Sequence, residues 1–403
     1  MTLKKVILHL GMAKAGSSSI QHTLINNTAL LEKCGFRYLT EWGVNHLYIL
    51  HKLFSPNPVM PIGTGHLGKS PFGIKQKNNS SIKKMLDVMN NTKCETLIIS
   101  GEYFAELWLD STIENIKAFI KKYFQSNGIE TIIVYFVRNP LTWLISSLQQ
   151  QVFTKGFMNK NGDFFEIRMK QYEGVLNLKK HFPGSLLLFK FEDACLDKDG
   201  LSGCFLKAIS FPEEEIQNIN MIRKNESRSV EAMEFINYIE AVEPRYPYAH
   251  YRRENPNRSL KDIKSLLDIK GVKFDLPYQS KIEFWNRFSG TVNLLKEKTG
   301  IDYADYKITP SPEQETYTEE SIQSFIKAFP KLNYVLQRHF LKFFEKKYME
   351  TAQVRFKQLH FKDSIPFTMF NSKNAFFSLL SLTMRNKLLG IIPYRIKRSM
   401  KWI

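Results

Sequence analysis

The chain has 403 residues, of which 43% are hydrophobic, 13% aromatic and 24% charged, a globular composition that leaves no room for disordered, collagen-like or coiled-coil readings. Its net charge is +18, from 57 Lys and Arg against 39 Asp and Glu. That surplus is concentrated: residues 331–403 carry 15 Lys and Arg against three acids (Glu345, Glu350, Asp363), whereas the first 330 residues carry an ordinary balance. The basicity is a property of the tail, and the body is read separately.

The first apolar run, residues 5–10 (KVILHL), reads as a buried strand leading into a Gly-rich turn from Gly11 to Gly16. It is too short, and lacks the cleavage site, for a signal peptide. Ser17 to Lys33 reads as a helix with Ile20, Leu24 and Leu31 on one face, ending before Gly35. A polar, Pro- and Gly-rich stretch at 55–80 reads as a connection. Thr96–Ser100 is a second strand, followed by a helical segment at about 110–125. Thr131–Val137 is a third, running directly into a helix with Asn139 as its cap and Pro140 in its first position. Ser185–Phe191 is a fourth. From about 212 to 345 the pattern is mostly helical. Strands alternating with helices give an α/β fold: a P-loop-like central parallel sheet flanked by helices, with a helical C-terminal extension. The expected division is an α/β domain over 1–330 and a basic, amphipathic region over 331–403.

The four cysteines (Cys34, Cys94, Cys195, Cys204) are scattered without metal-ligand spacing, so a reducing compartment and no metal site are expected. No apolar stretch reaches the ~18 residues of a membrane span.

Two motifs carry chemistry. In Gly11-Met12-Ala13-Lys14-Ala15-Gly16-Ser17-Ser18-Ser19, a strand-to-helix turn aims backbone N–H groups at an anion, Lys14 adds a mobile cation, and Ser17, Ser18 and Ser19 add hydroxyls. In a nucleotide triphosphatase loop a lysine follows the last glycine; here Ser17 takes that place and the lysine comes two residues before Gly16. In Tyr135-Phe136-Val137-Arg138-Asn139-Pro140, running on to Ser146, Arg138 stands at the carboxyl end of a strand, the edge where open α/β sheets bind ligands. A guanidinium and a hydroxyl from one strand–helix unit can hold one phosphate from two sides.

Together, HxGxxKxGSSS and YxVRNPxxWxxSS resemble the sulfotransferases that use 3′-phosphoadenosine 5′-phosphosulfate (PAPS), closest to bacterial and carbohydrate-acting members, over about residues 1–210. The resemblance implies that Lys14, Ala15, Gly16, Ser17, Ser18 and Ser19 hold the 5′-phosphosulfate. It implies that Arg138 and Ser146, eight residues apart, hold the 3′-phosphate. Ala15 departs from the usual Thr or Ser, and the GxxGxWK-like segment of small-molecule members is not found. The implied reaction moves a sulfuryl group to a hydroxyl or amine of a carbohydrate or glycolipid, with Lys14 offsetting charge on the departing oxygen and no essential metal.

A general base has to come from elsewhere. Glu102, just after a strand, is the first candidate, and carbohydrate-acting relatives resemble this in using a glutamate. His46 and His51 follow, while His9 reads as a packing residue. In the tail, Leu332, Val335, Phe340 and Phe343 line one helical face, and residues 375–384 form a short apolar run beside further cations. That pattern suits an interfacial helix, so a cytoplasmic protein peripheral to an anionic membrane surface is expected, without nucleic-acid binding. The alternatives are a P-loop kinase-type phosphotransferase and a non-catalytic basic peripheral membrane protein.

Overall fold

The computed structural model describes residues 2–58, 71–102, 106–155, 163–223, 227–244, 264–311 and 316–358. Its frame is a sheet of five parallel strands, β1 Lys5–Gly11, β2 Phe36–Tyr38, β3 Thr96–Glu102, β4 Glu130–Val137 and β5 Leu186–Lys190, in the order β2-β3-β1-β4-β5. The α/β expectation holds. The central strands are mostly apolar because helices cover both faces of a parallel sheet. Val6, Ile7, Leu8 and Leu10, Leu97 to Ile99, and Ile133 to Val137 are all buried.

The helices in chain order are α1 Ser17–Asn26, α2 Thr28–Lys33, α3 Leu47–Phe54, α4 Pro71–Asn91, α5 Asp110–Tyr123, α6 Pro140–Lys155, α7 Asp163–His181, α8 Phe191–Leu196, α9 Gly200–Ala208, α10 Glu213–Ile216, α11 Val230–Val242, α12 Tyr278–Thr299, α13 Glu319–Ala328 and α14 Tyr334–Gln358. Three details depart from the sequence expectation. The first helix breaks at Asn27, whose side-chain amide turns back onto the Thr23 carbonyl (2.7 Å) and also reaches the Asn220 carbonyl (3.1 Å). Part of the stretch read as a connection belongs to α4, a 21-residue helix whose polar surface hid its periodicity. The edge strand β2, only three residues long, carries too little pattern to be seen.

Strand order decides where ligands can bind. β1 pairs with β3 from Lys5↔Thr96 to Gly11↔Glu102, and with β4 from Lys5↔Glu130 to His9↔Val134. From β1 the chain leaves toward β2 on one side of the sheet, and from β4 it leaves toward β5 on the other. The carboxyl ends of β1 and β4 therefore flank a switch point, where diverging connections open a crevice.

The described residues within 1–146, 160–226 and 277–310 form one compact unit, which contains this sheet; those within 147–159, 227–276 and 311–358 form a second. Helix α12 belongs to the unit that holds the sheet, and α11, α13 and α14 belong to the second unit. The second unit is organised around a phenylalanine-rich core in which Phe235, Phe325, Phe340, Phe343 and Phe344 pack edge to face. Glu231 is fully buried there and accepts hydrogen bonds from the backbone N–H groups of Val272 (3.0 Å) and Tyr317 (3.1 Å), so its carboxylate ties three segments together. Leu332, Phe340 and Phe343, expected on a lipid-facing side, are spent on this core. Arg338, Lys342 and Lys346, four residues apart, remain exposed. Residues 375–384 lie outside the described residues. Among the described residues no helix is long and apolar enough to cross a membrane.

Two buried histidines lock the sheet. His9 in β1 bonds through Nδ1 to the Ser100 hydroxyl of β3 (2.8 Å), and its ring packs on Phe136 and Phe205. His46 continues the ladder where β2 stops. Its backbone N–H donates to the Ser100 carbonyl (3.0 Å), its Nδ1 accepts from the Ser100 N–H (3.0 Å), and its Nε2 faces the Gly43 carbonyl (3.2 Å). Burial pushes the His9 pKa down to about 3. It pushes that of His46 down to about 4, partly offset by the Gly43 and Leu39 carbonyls. Both rings are neutral in the folded chain, whereas the unfolded chain takes up these protons from about pH 6.5 downward. Stability contributed by the two groups is therefore complete above that pH and falls as pH drops, by up to ~1.4 kcal/mol per pH unit for each. The thermal midpoint is expected to decline from pH 6.5 to 5, above the range where carboxylates titrate; a midpoint constant over that interval would contradict the assignment.

Candidate functional site

The turn after β1 is built by packing constraints on its glycines. A Cβ on Gly11 would lie 1.9 Å from the Ser17 Oγ, so glycine is what lets Ser17 sit against the strand end. Gly16 has φ +76°, and a Cβ there would lie 2.0 Å from Leu201 Cδ2 and 3.1 Å from the Phe191 ring. Both backbone sign and space demand glycine there. Between them Lys14 is also left-handed (φ 65°), unfavourable for a side chain of this kind and stable only where neighbours hold it. Helix α1 then begins without a capping side chain. Its first turn keeps the donor character and positive dipole end of an uncapped N-terminus. The Ser17 hydroxyl is buried beside it with no hydrogen-bond partner among the described residues.

Arg138 supplies the hold on Lys14. It follows β4 directly, and its Nη1 donates to the Lys14 carbonyl. Its backbone N–H points at the Met12 sulfur (3.4 Å), so strand end and turn meet at two places. Nε donates to the Thr142 hydroxyl (3.2 Å), and the guanidinium lies over the Phe191 ring at 4.8 Å. No carboxylate among the described residues forms an ion pair with it, which leaves further N–H groups for an anion. Burial lowers the Arg138 pKa, and the charge of nearby Glu192 is the first influence opposing that. Asn139 caps α6 as expected, accepting from the N–H groups of Leu141 (2.9 Å) and Thr142 (3.3 Å). Ser146 is partly buried in α6 one turn beyond Thr142, on the same face at i, i+4 spacing.

Glu102 ends β3 in register with Gly11, one strand spacing from the turn. Its carboxylate faces the Ser18 hydroxyl at 3.5 Å, and its N–H donates to Asn45 Oδ1 (3.3 Å). It is partly exposed. The structure thus brings together the Lys14 turn, Ser17, Ser18, Glu102 and Arg138 at neighbouring strand ends, with Ser146 on the helix that leaves the same edge. Ala15 is buried under the turn, contributing backbone only. His46 is not part of this group: its ring is buried and engaged with the backbone at Ser100 and Gly43, which is a structural role. His9 is likewise a packing residue. His51 is buried in α3, its Nδ1 4.0 Å from Glu106. Among the described residues no cluster of His, Cys, Asp and Glu is arranged to hold a metal ion.

Glu192, Thr142, Phe191 and Tyr303 surround Arg138 without having been singled out in the sequence. Glu192 had the same signal as Glu102, an acid directly after a strand. Tyr303 carried none, because it reaches Val137 across 166 residues of chain. No protein-family model, curated protein or solved structure matches this chain.

The unpartnered Ser17 hydroxyl makes a stability prediction. Ser17→Ala removes a buried polar group that forms no bond, so the ligand-free protein is expected to be unchanged or stabilised by up to ~1 kcal/mol. Gly16→Ala meets both an unfavourable left-handed φ and the Leu201 side chain, and is expected to destabilise by ~2 kcal/mol or more. Thermal melts of the two variants check this; a Ser17→Ala protein melting well below wild type would show that the hydroxyl is paired.

Proposed function

We propose that the chain is a sulfotransferase, moving a sulfuryl group from PAPS to a hydroxyl or amine of a carbohydrate or glycolipid acceptor. The observation that carries this reading is the direct contact of Arg138 with the Lys14 turn, which gathers two sets of anion-binding donors at one switch point. The donor set suits a doubly phosphorylated nucleotide: an uncapped helix start, a buried hydroxyl awaiting an acceptor, a lysine, and an arginine in no ion pair among the described residues. Ser17 in the position after Gly16, where a nucleoside triphosphatase has its lysine, supports this reading over a kinase.

In this reading Lys14, Gly16, Ser17, Ser18 and Ser19 hold the 5′ end of the nucleotide, and Arg138 and Ser146 hold the 3′-phosphate. PAPS supplies the sulfuryl group when bound. Lys14 stabilises negative charge on the departing phosphate oxygen, and Glu102 takes the proton of the acceptor hydroxyl. The bond from Ser18 to Glu102 couples the carboxylate to the turn, so base and donor site keep one geometry. The four free cysteines, Cys34, Cys94, Cys195 and Cys204, suit a reducing, cytoplasmic setting. The basic residues of 331–403 suit an anionic membrane surface near a lipid-linked acceptor.

Calorimetry with 3′,5′-ADP tests the binding site: Arg138→Ala is expected to weaken it by ~1.5–3 kcal/mol. ATP with magnesium binding more tightly than 3′,5′-ADP would instead favour phosphoryl transfer. With labelled PAPS and surface-glycan extracts, Glu102→Gln is expected to lower turnover ~10²–10⁴-fold while nucleotide affinity is kept. A near-normal rate would remove Glu102 from the role of base.

A further inference from the structure

A carboxylate lies behind Arg138 but does not neutralise it. Glu192 is the second residue of α8, directly after β5, and the register of β4 with β5 (Val137↔Lys190) brings it beside Asn139. Its Oε1 accepts from the Thr142 hydroxyl (2.8 Å) and the Asn139 N–H (3.1 Å). Its Oε2 accepts from the Tyr303 hydroxyl (3.0 Å) and, at 3.3 Å, from the same N–H. Tyr303 is buried, and its single O–H proton is shared between Oε2 and the Val137 carbonyl (2.7 Å), while the Tyr172 hydroxyl donates to the carbonyl of Arg138 itself (2.8 Å).

These neutral donors satisfy the carboxylate and keep it from closing onto the guanidinium. Thr142 joins the two by a relay: its hydroxyl accepts from Arg138 Nε and faces Glu192 Oε1. The preceding residue, Phe191, presents its ring to the guanidinium. Two consecutive residues thus provide an apolar bed and a counter-charge held one side chain away. A direct ion pair would use up the forked donors that an anion needs; a buried arginine with no counter-charge would be poorly stabilised. The arrangement avoids both.

We propose that Glu192 is a positioning residue for the 3′-phosphate, acting through Thr142 and Tyr303 to keep Arg138 aimed and available; this rests on the sulfotransferase reading above. The role is ligand-selective. Loss of the relay frees Nε, which aims the guanidinium at the 3′-phosphate, while the separate Nη1 bond to the Lys14 carbonyl, which shapes the turn at the 5′ end, is kept.

Calorimetry on the full-length chain compares 3′,5′-ADP with adenosine 5′-diphosphate, which has no 3′-phosphate. Glu192→Gln is expected to weaken 3′,5′-ADP about tenfold and to change adenosine 5′-diphosphate less than about twofold. Thr142→Val is expected to show the same selectivity, and it carries the test should Glu192→Gln fail to fold. Equal losses for both nucleotides, unchanged affinities, or tighter binding of 3′,5′-ADP by the variants would overturn the positioning role alone. Wild-type protein that binds neither nucleotide would overturn the functional reading itself.

Discussion

The hydrogen bond from the Arg138 guanidinium to the Lys14 carbonyl is the contact on which the site depends. It connects the carboxyl ends of two adjacent strands, β1 and β4, at the place where their onward connections diverge. It also accounts for a backbone that would otherwise be unfavourable, since a left-handed lysine persists only where its surroundings hold it. One guanidinium therefore shapes the turn on one side and presents unused donors on the other. Phe191 adds to the same economy: its ring lies against both Gly16 and Arg138, so turn, arginine and the start of α8 are packed as one body.

Burial sorts the polar groups of the sheet into two kinds. Some are satisfied within the protein. His46 completes the hydrogen bonding of Ser100 where β2 has run out, and His9 pairs with Ser100 across β1 and β3 through Nδ1, its Nε2 staying without a partner among the described residues. These rings are neutral because a charged imidazole at such depth would be poorly solvated. Others stay incomplete: the Ser17 hydroxyl, the uncapped start of α1 and the remaining N–H groups of Arg138. All three can donate, and they stand at adjoining strand ends. A buried unmet donor such as the Ser17 hydroxyl is unfavourable until an acceptor arrives, and the donors of α1 and Arg138 stand beside it, which is the physical basis for an anion-binding reading.

What the sequence made legible follows from how each feature is encoded. Strands β1, β3 and β4 carry long apolar runs because both faces of these strands are buried, and β5, only partly buried, still shows the short run Leu186–Phe189. The turn at Gly11–Gly16 and the Asn139–Pro140 helix start depend on local chemistry, and both lie where expected. The edge strand β2 and helix α4 did not show: one is three residues long, the other is 21 residues of mostly polar surface. Tyr303 was invisible because its partners, Val137 and Glu192, are far away in sequence and only the fold joins them. His46 misled for the reverse reason. A histidine near a strand end looks like a base, and only its hydrogen bonds show that its ring is committed to the backbone.

The same distinction governs the basic helix α14. Its apolar residues suggested an amphipathic surface helix, because periodicity reports which residues share a face and not what that face meets. In the structure Phe340, Phe343 and Phe344 meet Phe235 and Phe325, and the buried Glu231 fixes the segments around them. What remains outward over this stretch is charge: Arg338, Lys342 and Lys346 on one stripe. An attraction to an anionic surface through these residues would be long-range and salt-sensitive, without the insertion that an exposed phenylalanine face would give. The apolar face stabilises the second unit, and the cations are what this part of the helix offers to the surroundings.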